Sequence, residues 1–596
     1  MLNINDAQQN IAVNQVNIPY GSGVGPIVIN QSGDVSPIVQ ADFTALTAYT
    51  TPSWLSFSRT GNAMVTDSTG KLTYAPNNLV LRSQEFDNSA WFKVAGGTAS
   101  APVVTANAAT APDGTVTAES IVFALNGGTT ISDSSTISQV VSSPGTFIHS
   151  VWLRSDTPCT LMLRNPANNG VVSNINVTTS WTRFSTIGTA PTSTNMLFGL
   201  RGASSTSDAT TVFAWGAQIE QVTYQTTPST YVATTSAAYY GPRYDFDAST
   251  TPATPRGLLI EESRANLLTY SEQFDNAAWS KLNATITANS TTAPDGTSSA
   301  DTFVLDAGTN EKVVYETATQ AAPVALSVYL KAGSGVRYVQ LDVSSVTGSY
   351  ANFDIISGTV GTVGATATAT ITSVGNGWYR CSIAMTAGGN VRYIRAVPAS
   401  NSGRGAYFVA VGGENFYLWG AQLEAGSFAT SYIPTTSASV TRAADVAQLT
   451  GSALTTLQGT NASAIVETGI VANAWPAYTL SGQSNNNIYF RAASGTTLRS
   501  TFNSVNLDVT IGSSGNFYTG AVRAAIGFSA AGRSLVANNG TVGTDANAQT
   551  APTGVNLGQL PGGSYTINGV VRSAAIYNQR LPDAILKKKS AVGAPY

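Results

Sequence analysis

The sequence predicts an all-β, multidomain chain: two tandem jelly-roll sandwiches, a third β-sandwich of a different type behind them, and an extended arm in front. The chain repeats itself, since NLVLRSQEFDNSAWFK at Asn78–Lys93 returns as NLLTYSEQFDNAAWSK at Asn266–Lys281. Further blocks return in the same order: Ala111-Pro112-Asp113-Gly114-Thr115 as Ala293-Pro294-Asp295-Gly296-Thr297, and Trp215-Gly216-Ala217-Gln218 as Trp419-Gly420-Ala421-Gln422. Self-similarity at domain scale means one fold used twice. Charged residues make up only 10% of the chain, and 55 glycines accompany abundant Thr, Ser and Ala, a composition for short strands and many turns rather than helices with charged outer faces. Within the repeats Val324, Leu326, Val328 and Leu330 alternate with Ala325, Ser327, Tyr329 and Lys331, the period of two of a half-buried strand.

Taken in order, residues 1–45 are polar and Gln/Asn-rich. Such a stretch buries too little apolar surface to fold alone and is expected to order only against other chains, as an attachment arm. Its Gly21-Ser22-Gly23-Val24-Gly25 string precedes Pro26 and β-branched residues, which offer no helix N-terminus to a phosphate, so no nucleotide site is expected. Residues 46–77 and 237–265 read as connectors, each leading into a repeat, and the repeats themselves span 78–236 and 266–441. Units of about 160 residues with short alternating strands suit a two-sheet jelly roll. The last unit, 442–596, has strand patterns at 463–468, 488–492 and 521–529. It also has Asn538-Asn539-Gly540 as a type I′ turn signal, and a short helix from Asp583 to Lys588.

Aligning the repeats assigns faces. Phe147, His149, Val151 and Leu153 fall on the core side, with the single histidine matching Leu326. Cys159 matches Val339, and Cys381 falls where the first repeat has Phe184, so both thiols are expected to be buried and inert, with no disulfide framework. Six tryptophans recur as pairs: Trp91 with Trp279, Trp181 with Trp378, Trp215 with Trp419. Recurring where the fold recurs, they are expected to be packing residues. Each indole buries about 200 Å² at ~25 cal/mol/Å², at most roughly 5 kcal/mol, which is reason enough for its presence.

One histidine on a core face excludes Ser-His-Asp and Cys-His catalysis, and no CxxC or HxxxH spacing offers a zinc site. Two carboxylates would suffice for a glycosidase, and Asp245, Asp247, Glu261 and Glu262 are the candidates. Polar turns and a strand edge explain them as well as catalysis or calcium would, and the structural role is the favoured one. No catalytic group, metal or cofactor is therefore expected, with calcium left open. A net charge of -3 and a pI near 5.4 give no footprint for nucleic acid. No apolar run approaches a bilayer span, and Met1-Leu2-Asn3-Ile4-Asn5 lacks the basic start of a signal peptide.

The stretch PRYDFD through PRGLLIEESRANLLTYSEQFDNAAWSK, followed by APDGT, WGAQLE, SYIPTT and TRAAD, resembles bacteriophage and prophage virion proteins of the tail-fibre and head-spike kind, with carbohydrate-binding-module-like jelly rolls. The resemblance covers about residues 50–446. The segment from Ala521 to Lys588, with GFSAAGRSLVANNGT and INGVVRSAAIYNQRLPDA, looks like a concanavalin-A-like or laminin-G-like lectin sandwich. The resemblance implies a fibre or spike on the virion surface, held to other virion proteins by the arm, homo-oligomeric with a trimer as the default, and binding host-cell polysaccharide. No heptad repeat fixes the stoichiometry. A polysaccharide depolymerase and a purely structural capsid decoration are the alternatives. The unrepeated aromatics of the last unit are the glycan-site candidates: Trp475, Tyr478, Tyr489 and Arg491, a shallow polar site with amide donors nearby. On this reading the segment from Arg442 to Tyr596, taken alone, is expected to bind host polysaccharide.

Overall fold

The computed structural model describes residues 36–45, 51–167, 172–204, 207–343, 346–387, 389–471, 478–482, 487–512, 520–560 and 566–596. The fold is all-β and multidomain, and the helices among the described residues are two short ones, Gly451–Gln458 and Asp583–Lys589. The first repeat is a sandwich of two five-stranded sheets and the second of two six-stranded sheets.

The repeated phrase builds the same corner twice. Trp91 packs 4.8 Å from Phe86, and Trp279 packs 4.7 Å from Phe274, measured between ring centroids. Each indole N–H donates to a backbone carbonyl, Arg82 at 3.0 Å and Tyr270 at 3.1 Å. Lys93 Nζ donates to the carbonyls of Asp87 and Asn88, both at 2.8 Å, and Lys281 repeats this on Asp275 and Asn276, so the lysine ties off turn carbonyls that would otherwise lack donors. Asn78 binds Ala217 O, Val232 O and Ile219 N, and Asn266 binds Ala421 O, Ile433 O and Leu423 N. One amide thus ties the start of each sandwich to its closing strand and exit segment.

The core faces follow the alignment. His149 is fully buried, 2.7 Å from Thr194 Oγ1, and burial pushes its pKa down to about 3. Leu326 is buried in the second copy. Cys159 and Cys381 are buried and free, Cys381 lying opposite Val328 on the adjacent strand, and burial pushes the Cys381 thiol up.

The third sandwich departs from the expected boundaries. Its eight-stranded sheet takes Arg243–Asp247 and Thr254–Ile260 from the second connector, and Val39–Asp42 from the arm. Its seven-stranded sheet takes Leu55–Ser58 from the first connector. Phe43, Trp54, Leu55, Tyr244, Leu258 and Ile260 share one core with Phe490, Phe502 and Phe528. Parts of both segments read as connectors are therefore strands of the third sandwich, and the two repeats are excursions from it. The Ala537–Gly540 turn has positive φ at Asn538 and Asn539 and the closing bond Gly540 N to Ala537 O at 2.9 Å, as a type I′ turn requires. The Gly21–Gly25 string lies outside the described residues.

Where the sandwiches meet, a buried ion network joins chain segments far apart in sequence. Asp445 accepts from Arg59 Nη1 at 2.8 Å and from Arg243 Nη2. Glu261 accepts from Arg243 Nη1 at 2.7 Å and from the backbone N–H of Ser431 at 2.8 Å, with Arg442 Nη2 3.4 Å away. These cations hold the Glu261 carboxyl down at about 2 against the opposing effect of burial.

Candidate functional site

Each repeated sandwich carries a second aromatic cluster, on the outer face of one sheet. In the first sandwich it comprises Trp152 on Gly145–Arg154, Trp215 on Ala209–Val222, Trp181 just before Thr182–Ala190, and Tyr231 from the exit segment. In the second, Tyr329, Trp419, Trp378 and Tyr432 take the same places. The hydrogen bonds repeat too. Trp181 and Trp378 Nε1 donate to Thr110 O and Thr292 O, both at 3.1 Å. Trp215 Nε1 donates to Thr117 Oγ1 at 3.1 Å and Trp419 Nε1 to Ser299 Oγ at 3.0 Å.

The glycine of the WGAQ motif makes the cluster fit. A β-bulge falls between Ser150 and Trp152, and again between Ser327 and Tyr329. Gly216 and Gly420 supply the extra residue of these bulges, with φ of 64° and 63°, a left-handed conformation that glycine adopts without strain. A Cβ on Gly420 would lie 3.0 Å from the Tyr329 ring and 3.2 Å from Tyr432. The missing side chain lets Trp215 and Tyr231 approach to 4.7 Å between centroids, and Trp419 and Tyr432 to the same distance.

The copies differ in what covers them. Over the second cluster lies the hairpin of Met64–Thr66 and Leu72–Tyr74, with Met64 and Leu72 buried against the four rings. The hairpin is anchored by Leu72 N to Pro294 O at 3.1 Å, and Lys71 Nζ lies 4.0 Å from the Tyr224 ring centroid. As a result Tyr329, Trp378, Trp419 and Tyr432 are all buried. The first cluster has no such cover among the described residues, and Trp152, Trp181 and Tyr231 are half-buried. Five of the six paired tryptophans are buried as expected, while Trp181 is not. Duplication identified these residues as part of the fold, but it could not reveal that one copy alone is capped. Trp152 Nε1, moreover, is buried and has no hydrogen-bond partner among the described residues. The Tyr231 hydroxyl is 2.6 Å from Ser83 Oγ, and burial pushes its pKa up to about 12.

Beside the hairpin, a cavity of about 590 Å³ opens between the first two sandwiches, with Asn62, Tyr74, Glu272, Asp295 and Tyr432 among its lining. Burial, followed by the neighbouring Asp295, pushes the Glu272 carboxyl up to about 8, and the Tyr432 hydroxyl donates to Glu272 Oε1 at 3.0 Å.

Of the glycan candidates of the last unit, the side chains of Tyr489 and Arg491 are described. Trp475 lies outside the described residues, as does the side chain of Tyr478. Tyr489 is fully buried, its hydroxyl 2.8 Å from both Leu457 O and Gln549 Oε1 and its ring beside Phe502 and Phe528. Tyr489 is thus a core residue rather than a surface platform. Arg491 is half-buried beyond a register shift in the same strand. Each of the four candidate carboxylates is paired with an arginine. Asp245 and Asp247 pair with Arg256 at 3.5 and 3.1 Å, Glu261 belongs to the buried network, and Glu262 pairs with Arg264. Burial pushes Asp245 up to about 6, with Arg256 opposing the shift. Among the described residues no group of three or more His, Cys, Asp or Glu side chains is arranged to hold a metal ion.

No family model matches the chain, and no curated protein matches it. Among solved structures it is similar to the N-terminal CBM22-1-CBM22-2 tandem domain of Paenibacillus barcinonensis Xyn10C, at 12% identity over 59% of this chain and 98% of that one, with a TM-score of 0.20. It is also similar to a Trypanosoma rangeli sialidase in complex with 2,3-difluorosialic acid, at 9% identity over 95% and 96%, with a TM-score of 0.18. At these scores neither likeness says more about this chain.

Proposed function

We propose that this chain is an adhesive β-rod on a virion surface, a tail fibre or head spike, whose first sandwich holds a host-surface glycan on its open aromatic face. One observation carries the reading: a single aromatic platform was built twice, and the chain seals the second copy with its own hairpin while no described residue seals the first. Exposing indole faces to water is unfavourable, and a ligand that covers them gains that surface back. A pyranose offers a flat C–H face matched to an indole, and Trp152, Trp181 and Tyr231 keep part of their rings open to it. The sequence resemblance of the repeats to phage fibre and spike proteins supports the virion setting. In that setting the N-terminal arm attaches to other virion proteins, and several copies in one homo-oligomer raise weak sites to useful avidity. Binding of this kind uses no catalytic group and no cofactor.

The test is retention of host cells or their purified polysaccharide by the full chain and by a Trp152→Ala/Trp181→Ala double variant. The reading expects the double variant to lose most retention while still melting cooperatively; equal retention by both proteins overturns it. New reducing ends in the polysaccharide would instead favour a depolymerase. Absence of any binding, with the protein located on capsid faces in images of the particle, would favour a decoration protein.

A further inference from the structure

The open face carries a cation placed for a particular class of sugar. The Arg154 guanidinium lies 4.1 Å from the Phe213 ring centroid and 5.6 Å from that of Trp181, flat aromatic surfaces that hold its plane in position. Its Nη1 pairs with Asp156 Oδ1 at 2.8 Å, and the Asp156 side chain is 76% exposed. Nε and Nη2 of Arg154 have no hydrogen-bond partner among the described residues. The other cation of this face, Arg183, is already engaged by Ser150 and Ser229 and faces Glu220. Past Phe213 the face continues into a hollow of about 400 Å³ lined by Val122, Ser155, Asp156, Thr157 and Thr211. In the capped copy the matching cation is Lys331, a point charge 6.0 Å from Trp378.

We propose that this face selects acidic polysaccharides, with a pyranose carboxylate on the free edge of Arg154 and neighbouring rings stacked on Trp181 and along the strip toward the hollow. The proposal rests on the glycan reading above and narrows it. A guanidinium fork matches a carboxylate with two parallel hydrogen bonds, which a lysine cannot do. A pair whose carboxylate is 76% exposed is weak, and Asp156 gives way to a better-placed ligand carboxylate.

The experiment titrates the full chain with polygalacturonate, polysialic acid and neutral dextran at low and high salt. Acidic polymers are expected to bind at least about tenfold more tightly than dextran at low salt and to lose that advantage at high salt. Arg154→Gln should remove the preference by weakening acidic binding at least about tenfold more than dextran binding, Asp156→Asn should strengthen acidic binding, and Trp181→Ala should weaken both classes. Whichever acidic polymer binds better tells uronate from sialate. If dextran binds as tightly as the acidic polymers and needs Trp181, or if Arg154→Gln and Asp156→Asn leave acidic binding unchanged, charge selection is overturned and the glycan site stands. If no polymer binds, or binding ignores the Trp181 change, both fall. Melting curves of each variant exclude unfolding as the cause.

Discussion

His149 shows what a single buried group does to the pH dependence of the whole chain. Its imidazole stays neutral in the fold, pushed down to about 3 from an ordinary value near 6.5, so between those values the unfolded state binds the extra proton. Stability is therefore unaffected by this group above pH 6.5 and falls as pH drops from 6.5 toward 3. His149→Leu, the residue the second copy uses as Leu326, should flatten that part of the stability profile, measured as urea midpoints at pH 4 and pH 8; an unchanged difference between the two midpoints would contradict the assignment. Asp445 is the opposite case, a buried carboxylate held ionised by Arg243, Arg59 and Arg442. Asp445→Asn leaves buried guanidinium groups without their counter-charge and should cost about 3–5 kcal/mol by denaturant unfolding. A loss below 1 kcal/mol would mean that the network is solvated.

The hairpin of Met64–Thr66 and Leu72–Tyr74 decides what two copies of one sandwich show to solvent. Leu72→Ala should destabilise by about 2–4 kcal/mol and should red-shift tryptophan emission, because Trp378 and Trp419 lie beneath it. No spectral change would mean that the cap is not what shields them. Much of this level was legible in the sequence. The repeated corner around Trp91 and Trp279, the inward faces of His149, Cys159 and Cys381, the Asn538-Asn539 turn and the helix at Asp583 follow from local period and local chemistry. The destination of the hairpin did not follow, because nothing local to Met64–Tyr74 states that its partner is the second sandwich rather than the adjoining first. For the same reason Trp181 read as core and Tyr489 as surface: an aromatic residue declares its size, but its cover is set by distant segments.

The third sandwich is completed by strands from far apart in the chain. Residues 442–596 lack Val39–Asp42, Leu55–Ser58, Arg243–Asp247 and Thr254–Ile260, and therefore part of both sheets and of the shared core. The segment Arg442–Tyr596 is accordingly expected to fail to fold alone, seen as the absence of a cooperative melt by circular dichroism; a sharp transition would show that the borrowed strands are dispensable. A binding test on that fragment would report on an incomplete sandwich, so the full chain is the proper material. During synthesis the two repeats can close as soon as their own residues emerge, whereas the third sandwich waits for the last strand, Gly569–Tyr577.

Antiparallel pairing of Val39–Asp42 with Gly569–Tyr577 sets Val39 against Ile576 and Asp42 against Ser573. Tension applied through the chain on either side of this ladder meets it end-on and opens it one rung at a time. Until it parts, no load reaches the two repeated sandwiches, which hang as side loops off the stressed path, and the aromatic face of the first sandwich keeps its shape under the pull.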